Sequence, residues 1–272
     1  MLSLLACGLA SSSPPTLPNG RGVVKLAAAA VSRAFADGYH RQTVRIPLSE
    51  AIYGDREEGF VADRAIGWQG GPEETYRYLQ PLARELLQQV ETLPQSETGG
   101  LPPRIKEQVL LDFDGSALLT AESAGGALGD VQAMLQPNTD GYYLKTIAGV
   151  EEQFSDVPGK PRRLFLLLNP AWRDRRSWGF FGGAEAQERI LDRYEATFAL
   201  DQFVLRGQKV SLLRAWPHDW SVYLTTLEGT EPSDDARLDG GGQARLLATF
   251  AERPEYKVLD ELCTDVLRGR RV

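Results

Sequence analysis

The sequence predicts an α/β protein built on a mixed sheet, with a parallel core, antiparallel C-terminal hairpin strands and helices packed on it. Three observations lead there. Segments with helical and strand periodicity alternate through about the first 200 residues. The run Arg163–Leu168 is apolar after its first residue, as expected of a strand buried on both faces in a parallel sheet. Beyond residue 200, short apolar runs follow one another too closely for helical crossovers, which requires antiparallel pairing.

The elements follow in order. Residues 14–22 are Pro- and Gly-rich and read as a linker after a leader. Val24, Ala27, Val31 and Ala34-Phe35 recur at helical spacing, and Gly38 ends that helix. Thr43-Val44-Arg45-Ile46-Pro47 alternates and reads as a strand. Residues 53–72 are loop-like up to Pro72, which suits a first helical turn. Tyr76, Leu79, Leu82, Leu86 and Val90 stripe the helix that follows, and Pro81 inside it predicts a kink or break. Glu107–Asp112 reads as a central strand. A short helix is expected near 129–135 and a strand at 142–147. Ile190-Leu191, Tyr194 and Phe198 predict a helix over about 184–199. Three meander strands at 203–205, 210–214 and 221–224 come next. A Pro-, Asp- and Gly-rich loop spans 229–242, a strand 245–250, and a final helix begins near Pro254. The expected division is a leader and linker over 1–22 and a single α/β domain over 23–272.

Composition narrows the function. An apolar share of 42% with 25% charged residues is that of an ordinary folded protein. No apolar run approaches the roughly 20 residues a membrane-spanning helix needs, so at most peripheral membrane contact is expected. A formal net charge of −7 argues against sequence-independent binding of nucleic acid. The two cysteines, Cys7 and Cys263, make no disulfide framework, and Cys263 reads as a small apolar residue on a helix face. His40 and His218 have no metal-ligand spacing, so no metal and no cofactor are expected. No acidic residue precedes Asp37, while Ser3, Ser11, Ser12, Ser13, Arg21 and Lys25 supply hydroxyls and positive charge. That composition is typical of an organellar transit peptide.

Two constellations could carry chemistry. Val109-Leu110-Leu111-Asp112-Phe113-Asp114-Gly115-Ser116 resembles the first motif of haloacid-dehalogenase-like phosphotransferases. There Asp112 would attack phosphorus and Asp114 act as acid and base around Mg²⁺. The competing reading is an Asp-Gly turn closing a strand. The remaining parts of such a site are missing, since the adjacent pair Asp234-Asp235 lies in a loop, not at a strand end. Trp68-Gln69-Gly70-Gly71-Pro72 enters a helix N-terminus, but Glu73 and Glu74 already complement that dipole and would repel a phosphate.

The second constellation is aromatic. Four of the five tryptophans, Trp172, Trp178, Trp216 and Trp220, fall close together with Phe180, Phe181 and Arg173, Arg175 and Arg176. Trp and Arg dominate protein–protein hot spots. Trp172, Arg173, Trp178, Phe181 and Trp220 are the expected partner-binding residues. Trp172 and Trp216 are expected to be buried, Trp178 and Trp220 partly exposed. Tyr194-Glu195 is expected to meet Arg173 or Arg214 in a structural ion pair.

Several blocks, taken in order, resemble the plastid domain-of-unknown-function family numbered nineteen-ninety-five, which includes low photosystem II accumulation protein-like members. The blocks are Ala34-Phe35-Ala36-Asp37-Gly38 with Thr43-Val44-Arg45-Ile46-Pro47, and Asn169-Pro170-Ala171-Trp172 after its strand. Then come Tyr194-Glu195 with Phe198-Ala199-Leu200, and Arg214-Ala215-Trp216-Pro217-His218-Asp219-Trp220, so that the resemblance covers residues 23–226. It implies residence in an algal or plant chloroplast, in the stroma or at the thylakoid periphery. It also implies a protein partner such as a photosystem subunit or assembly factor. It brings no catalytic residues with it. The expectation is a non-catalytic assembly protein, with the Mg-dependent phosphotransferase using Asp112 and Asp114 as the alternative.

Overall fold

The computed structural model describes residues 13–18, 20, 22–48, 71–111, 116–155, 163–225 and 244–268. Its strands are β1 (Arg41–Arg45), β2 (Arg104–Leu111), β3 (Ser116–Glu122), β4 (Val131–Leu135) and β5 (Leu164–Leu168). They continue with β6 (Glu195–Leu205), β7 (Gln208–Ala215), β8 (Trp220–Thr225) and β9 (Ala244–Phe250). The helices are α1 (Gly22–Ala36), α2 (Pro72–Gln89), α3 (Gly141–Val150), α4 (Gly179–Ala186) and α5 (Tyr256–Leu267).

These residues form one nine-stranded sheet in the order β2-β3-β4-β5-β1-β6-β7-β8-β9. β4, β5, β1 and β6 run parallel, and β6 through β9 form the antiparallel meander. The chain is therefore α/β with a mixed sheet, as its sequence predicts. A second antiparallel ribbon, β2-β3-β4, completes the other end.

Each face of the sheet carries its own helices. Leu164, Leu166 and Leu168 join α1 and α2 in one core, while Phe165 and Leu167 face the opposite way toward α3, Trp172 and Trp178. Burial on both faces is why β5 shows no polar alternation. On that second face α5 covers Leu205, Val210, Leu212, Val222 and Leu224, forming a separate cluster around Leu259 and Cys263. Burial pushes the Cys263 thiol above its ordinary pKa.

Several local expectations are overturned. Glu107 lies on an edge strand, not a central one, because β2 ends the sheet order. Its Lys106, Glu107 and Gln108 are exposed, as suits an edge. Residues 131–135 form strand β4 instead of a helix. Val131, Ala133 and Leu135 face one core and Met134 the other, so both faces are apolar and periodicity does not discriminate. Residues 141–150 form helix α3 instead of a strand. Asp140 caps it by accepting from the Tyr142 N–H at 2.9 Å. Tyr143, Leu144 and Ile147 then share one buried helical face. The helix expected over 184–199 stops early. Its last turn, Gln187–Leu191, is π-helical, and β6 begins at Glu195. Ile190, Tyr194 and Phe198 imitate a helical stripe only because successive turn and strand positions happen to be four apart. Helix α2 passes through Pro81 without a break. Leu79, Leu82, Ala83, Leu86 and Leu87 anchor it to the core on both sides of the missing N–H.

One polar knot ties β1 to its neighbours inside the first core. Gln42, fully buried, donates to the Val31 carbonyl at 3.1 Å and the Tyr39 carbonyl at 2.8 Å. Its Oε1 accepts from the Thr197 hydroxyl at 2.9 Å. Gln42→Ala is expected to cost about 2 kcal/mol by orphaning these groups, seen as a Tm lowered by roughly 4–8 °C in a thermal melt. A shift below 1 °C would show that water replaces the amide. Among the described residues no helix is long and apolar enough to cross a membrane.

Candidate functional site

The strand order creates a crevice beside β1. The chain leaves β1 toward α2, on one face and over β3 and β4, whereas it leaves β5 through α4 on the other face to reach β6. Neighbouring parallel strands whose connections diverge in this way leave a gap at their carboxyl ends, where α/β proteins bind ligands. Here the gap lies over β1 and β6, between the π-helical turn Gln187–Leu191 and Trp220 with Arg253, and it holds a cavity of about 320 Å³.

The junction after β5 builds the first wall. Asn169 adopts a left-handed conformation with φ of 49°, which Asn tolerates better than most residues. Its N–H donates to the Val44 carbonyl at 2.8 Å. Its side-chain amide then accepts from the Ile46 N–H at 2.8 Å and donates to the Ile46 carbonyl at 2.7 Å. The side chain thus continues the ladder while the backbone turns away at Pro170. Trp172 is thereby set over the carboxyl end of β1, and its carbonyl accepts from the Arg45 guanidinium. Asp174 caps the next turn by accepting from the Arg176 and Ser177 N–H groups at 2.8 and 3.3 Å.

Thr43, Arg45, Ala196 and Ala199 line the cavity from the sheet. Trp172, Ile190 and Tyr194 line one side, Trp220 and Arg253 the other, and Arg173, Asp174 and Arg175 also contribute. The buried carboxylate of Asp201 accepts from Arg173 at 3.2 Å and from Arg253 at 2.8 Å. The Arg253 guanidinium stands 5.9 Å from the centroid of the Trp220 ring. Desolvation lowers the Arg45 pKa to about 10; Asp201 opposes this, and the charges of Arg173 and Arg253 add to it. Among the described residues around the cavity, guanidinium groups outnumber carboxylates.

Of the residues expected from the sequence to bind a partner, Trp172, Arg173 and Trp220 converge on this cavity. Trp178 lies beneath them, its ring 4.7 Å from that of Trp172 at an interplanar angle of 44°. The expected exposure of Trp178 and Trp220 is corrected, since they are only 7% and 8% exposed. Trp178 is covered by Trp172, and Trp220 packs in the cluster beneath α5. Trp172 is buried as expected. Trp216 is half-buried and turns to the opposite face, where its indole N–H donates to Asp37 at 2.7 Å. Phe181 belongs to α4, but its side chain lies outside the described residues. Glu195 pairs with Arg214 at 3.3 Å, as expected, whereas Arg173 takes Asp201.

Sequence reasoning passed over Arg45, Asp201 and Arg253. Arg45 left a trace, because β1 is a central parallel strand that carries an arginine at each end, with only Gln42 and Val44 fully buried between them. Asp112 and Asp114 lie outside the described residues, as do Asp234-Asp235, Trp68-Gln69-Gly70, the leader up to Ser12 and the loop at 229–242. The strand leading to Asp112 is at the sheet edge and antiparallel to β3. Among the described residues, that placement offers no adjacent parallel strand end for a further carboxylate. Among the described residues no group of three or more His, Cys, Asp or Glu side chains is arranged to hold a metal ion.

Fold and cavity together define a mixed-sheet α/β protein with an aromatic, cationic crevice over the carboxyl end of β1 and the adjoining part of β6. The chain belongs to the family described as Domain of unknown function (DUF1995), whose model matches residues 21–261. No curated protein and no solved structure matches it.

Proposed function

We propose that this chain is a chloroplast protein, of the stroma or thylakoid periphery, that assists photosystem or thylakoid-complex assembly by binding a protein partner. It breaks no bonds itself. One observation carries the reading: Trp172, Trp220 and the Arg173–Asp201–Arg253 cluster meet in a single crevice at the diverging ends of β1 and β5. Anchoring aromatic and guanidinium groups in a pocket are what a partner's hot spot requires. The resemblance to plastid proteins and the acid-free leader supply the setting.

The test is capture of partners from thylakoid extract by the tagged full chain, with identification by mass spectrometry. A photosystem subunit or assembly factor is expected. Recovery is expected to fall about tenfold with Arg173→Glu, the loss of one charge-assisted contact, while circular dichroism stays unchanged. Recovery of no photosynthetic protein, or recovery indifferent to Arg173→Glu, rejects the reading. A fluorescent fusion of the full chain found outside chloroplasts rejects the location.

A further inference from the structure

We propose that the crevice beside β1 holds a phosphate monoester, its phosphate against Arg45, Arg173 and Arg253 and its organic group against Trp172 and Trp220. This inference rests on the crevice being the recognition site and adds the chemistry that it recognises.

Charge makes the first argument. Arg45, Arg173 and Arg253 surround one carboxylate, Asp201. Arg175 and Asp174, which also line the cavity, cancel. The excess among these residues is two positive charges, in a protein whose formal net charge is −7. A phosphate monoester carries about −1.5 to −2 at pH 7, so it neutralises the site where a single carboxylate would not.

Geometry makes the second. Asp201 is buried and holds Arg173 and Arg253 from one side. Arg45 is fixed through the Trp172 carbonyl. Guanidinium groups held in advance lose little freedom on meeting a phosphate, which they match in bidentate fashion. Burial of Arg45 without a full complement of negative charge is what an incoming anion would relieve.

Size makes the third. A cavity of about 320 Å³ sits at the lower end of the range for small-molecule sites, about 300–1,000 Å³. It fits one phosphorylated side chain or a small ester better than a helix or a nucleic-acid strand. Trp172, Trp220 and Tyr194 supply the apolar walls for the organic part.

Calorimetric titration of the full chain at pH 7.5 and low salt tests this, with phenyl phosphate, inorganic phosphate, benzoate and a phosphoserine peptide as probes. Phenyl phosphate is expected to bind one-to-one, more tightly than inorganic phosphate and at least about tenfold more tightly than benzoate. Arg173→Ala and Arg253→Ala are each expected to weaken it about tenfold. Lys106→Ala, at the far edge of the sheet, should leave it unchanged. Affinity should fall between pH 7.5 and pH 5.5, as the second phosphate proton is taken up near pH 6. A peptide binding as well as phenyl phosphate places the phosphate on a protein partner; binding of the small ester alone makes it a metabolite. Equal affinity for benzoate, no binding of either phosphate probe, or indifference to both arginine variants overturns the inference. A chain that ignores phosphate esters yet captures photosystem subunits sinks this inference alone.

Discussion

Glu151→Ala is expected to destabilise the fold by about 3–5 kcal/mol, the cost of stripping one partner from a buried ion pair. Glu151 is 3% exposed and starts the π-helical turn after α3. Arg41 Nε of β1 stands 3.2 Å from one carboxylate oxygen and Arg193 Nη2 2.9 Å from the other. The Tyr194 hydroxyl donates to the same carboxylate. Burial first, then the Glu151 charge, raises the Tyr194 pKa well above its ordinary value, so the ring stays neutral and remains a donor. Most of the expected loss comes from Arg41, whose largely buried guanidinium would lose this carboxylate. Arg193 is more exposed, and solvent screens its share. Urea denaturation measures the effect. Glu151→Gln, which keeps an acceptor for Tyr194, is expected to lose clearly less. A loss under about 1 kcal/mol with Glu151→Ala would mean that water already satisfies Arg41. Because Tyr194 also lines the crevice, the same variant should weaken whatever binds there.

Trp172→Ala is expected to cost a similar amount, about 3–5 kcal/mol, the range for deleting a large buried aromatic side chain. Trp172 is 2% exposed, fills the space over Trp178 and forms one wall of the crevice. Its carbonyl stays in the variant, so the bond from Arg45 survives and the loss reports packing alone. Chemical denaturation gives the magnitude. Tryptophan emission should shift to the red as Trp178 meets water. Trp172→Phe should recover more than half of the loss. A variant with wild-type stability and unshifted emission would show that Trp178 is not sheltered by its neighbour.

The sequence made the class of the sheet legible because strand spacing encodes connection type. The meander after residue 200 had no room for helices, and the strand at Leu164 had no polar face. Where both sides of an element are covered, as at β4, that signal vanishes. Where a turn places Ile190, Tyr194 and Phe198 four apart, it misleads. The site was half legible. Trp172, Arg173 and Trp220 stood out as residue types suited to contact, and topology brought all of them to one crevice. The burial of Trp178 and Trp220 was not legible, since it depends on Trp172 stacking over one ring and on the cluster beneath α5 that takes in the other. Asp201 lies on β6 and Arg253, more than fifty positions on, in the loop between β9 and α5, so only the folded chain reveals their pairing. The blocks that carried the family resemblance meet in the same way, Asp37 with Trp216 and Arg45 with Trp172. Their shared pattern is therefore accounted for in part by mutual support within the fold.

The Asn169 amide that extends β5 has a chemical consequence. Asparagine side chains age by attack of the following backbone nitrogen on the amide carbon, which expels ammonia and leaves an acid. The next residue here is Pro170, whose nitrogen bears no hydrogen and cannot make that attack. An aspartate in this position would turn a negative oxygen toward the Ile46 carbonyl in place of the donor now there. The proline that bends the chain thereby also protects it from slow deamidation at the joint between its two central strands.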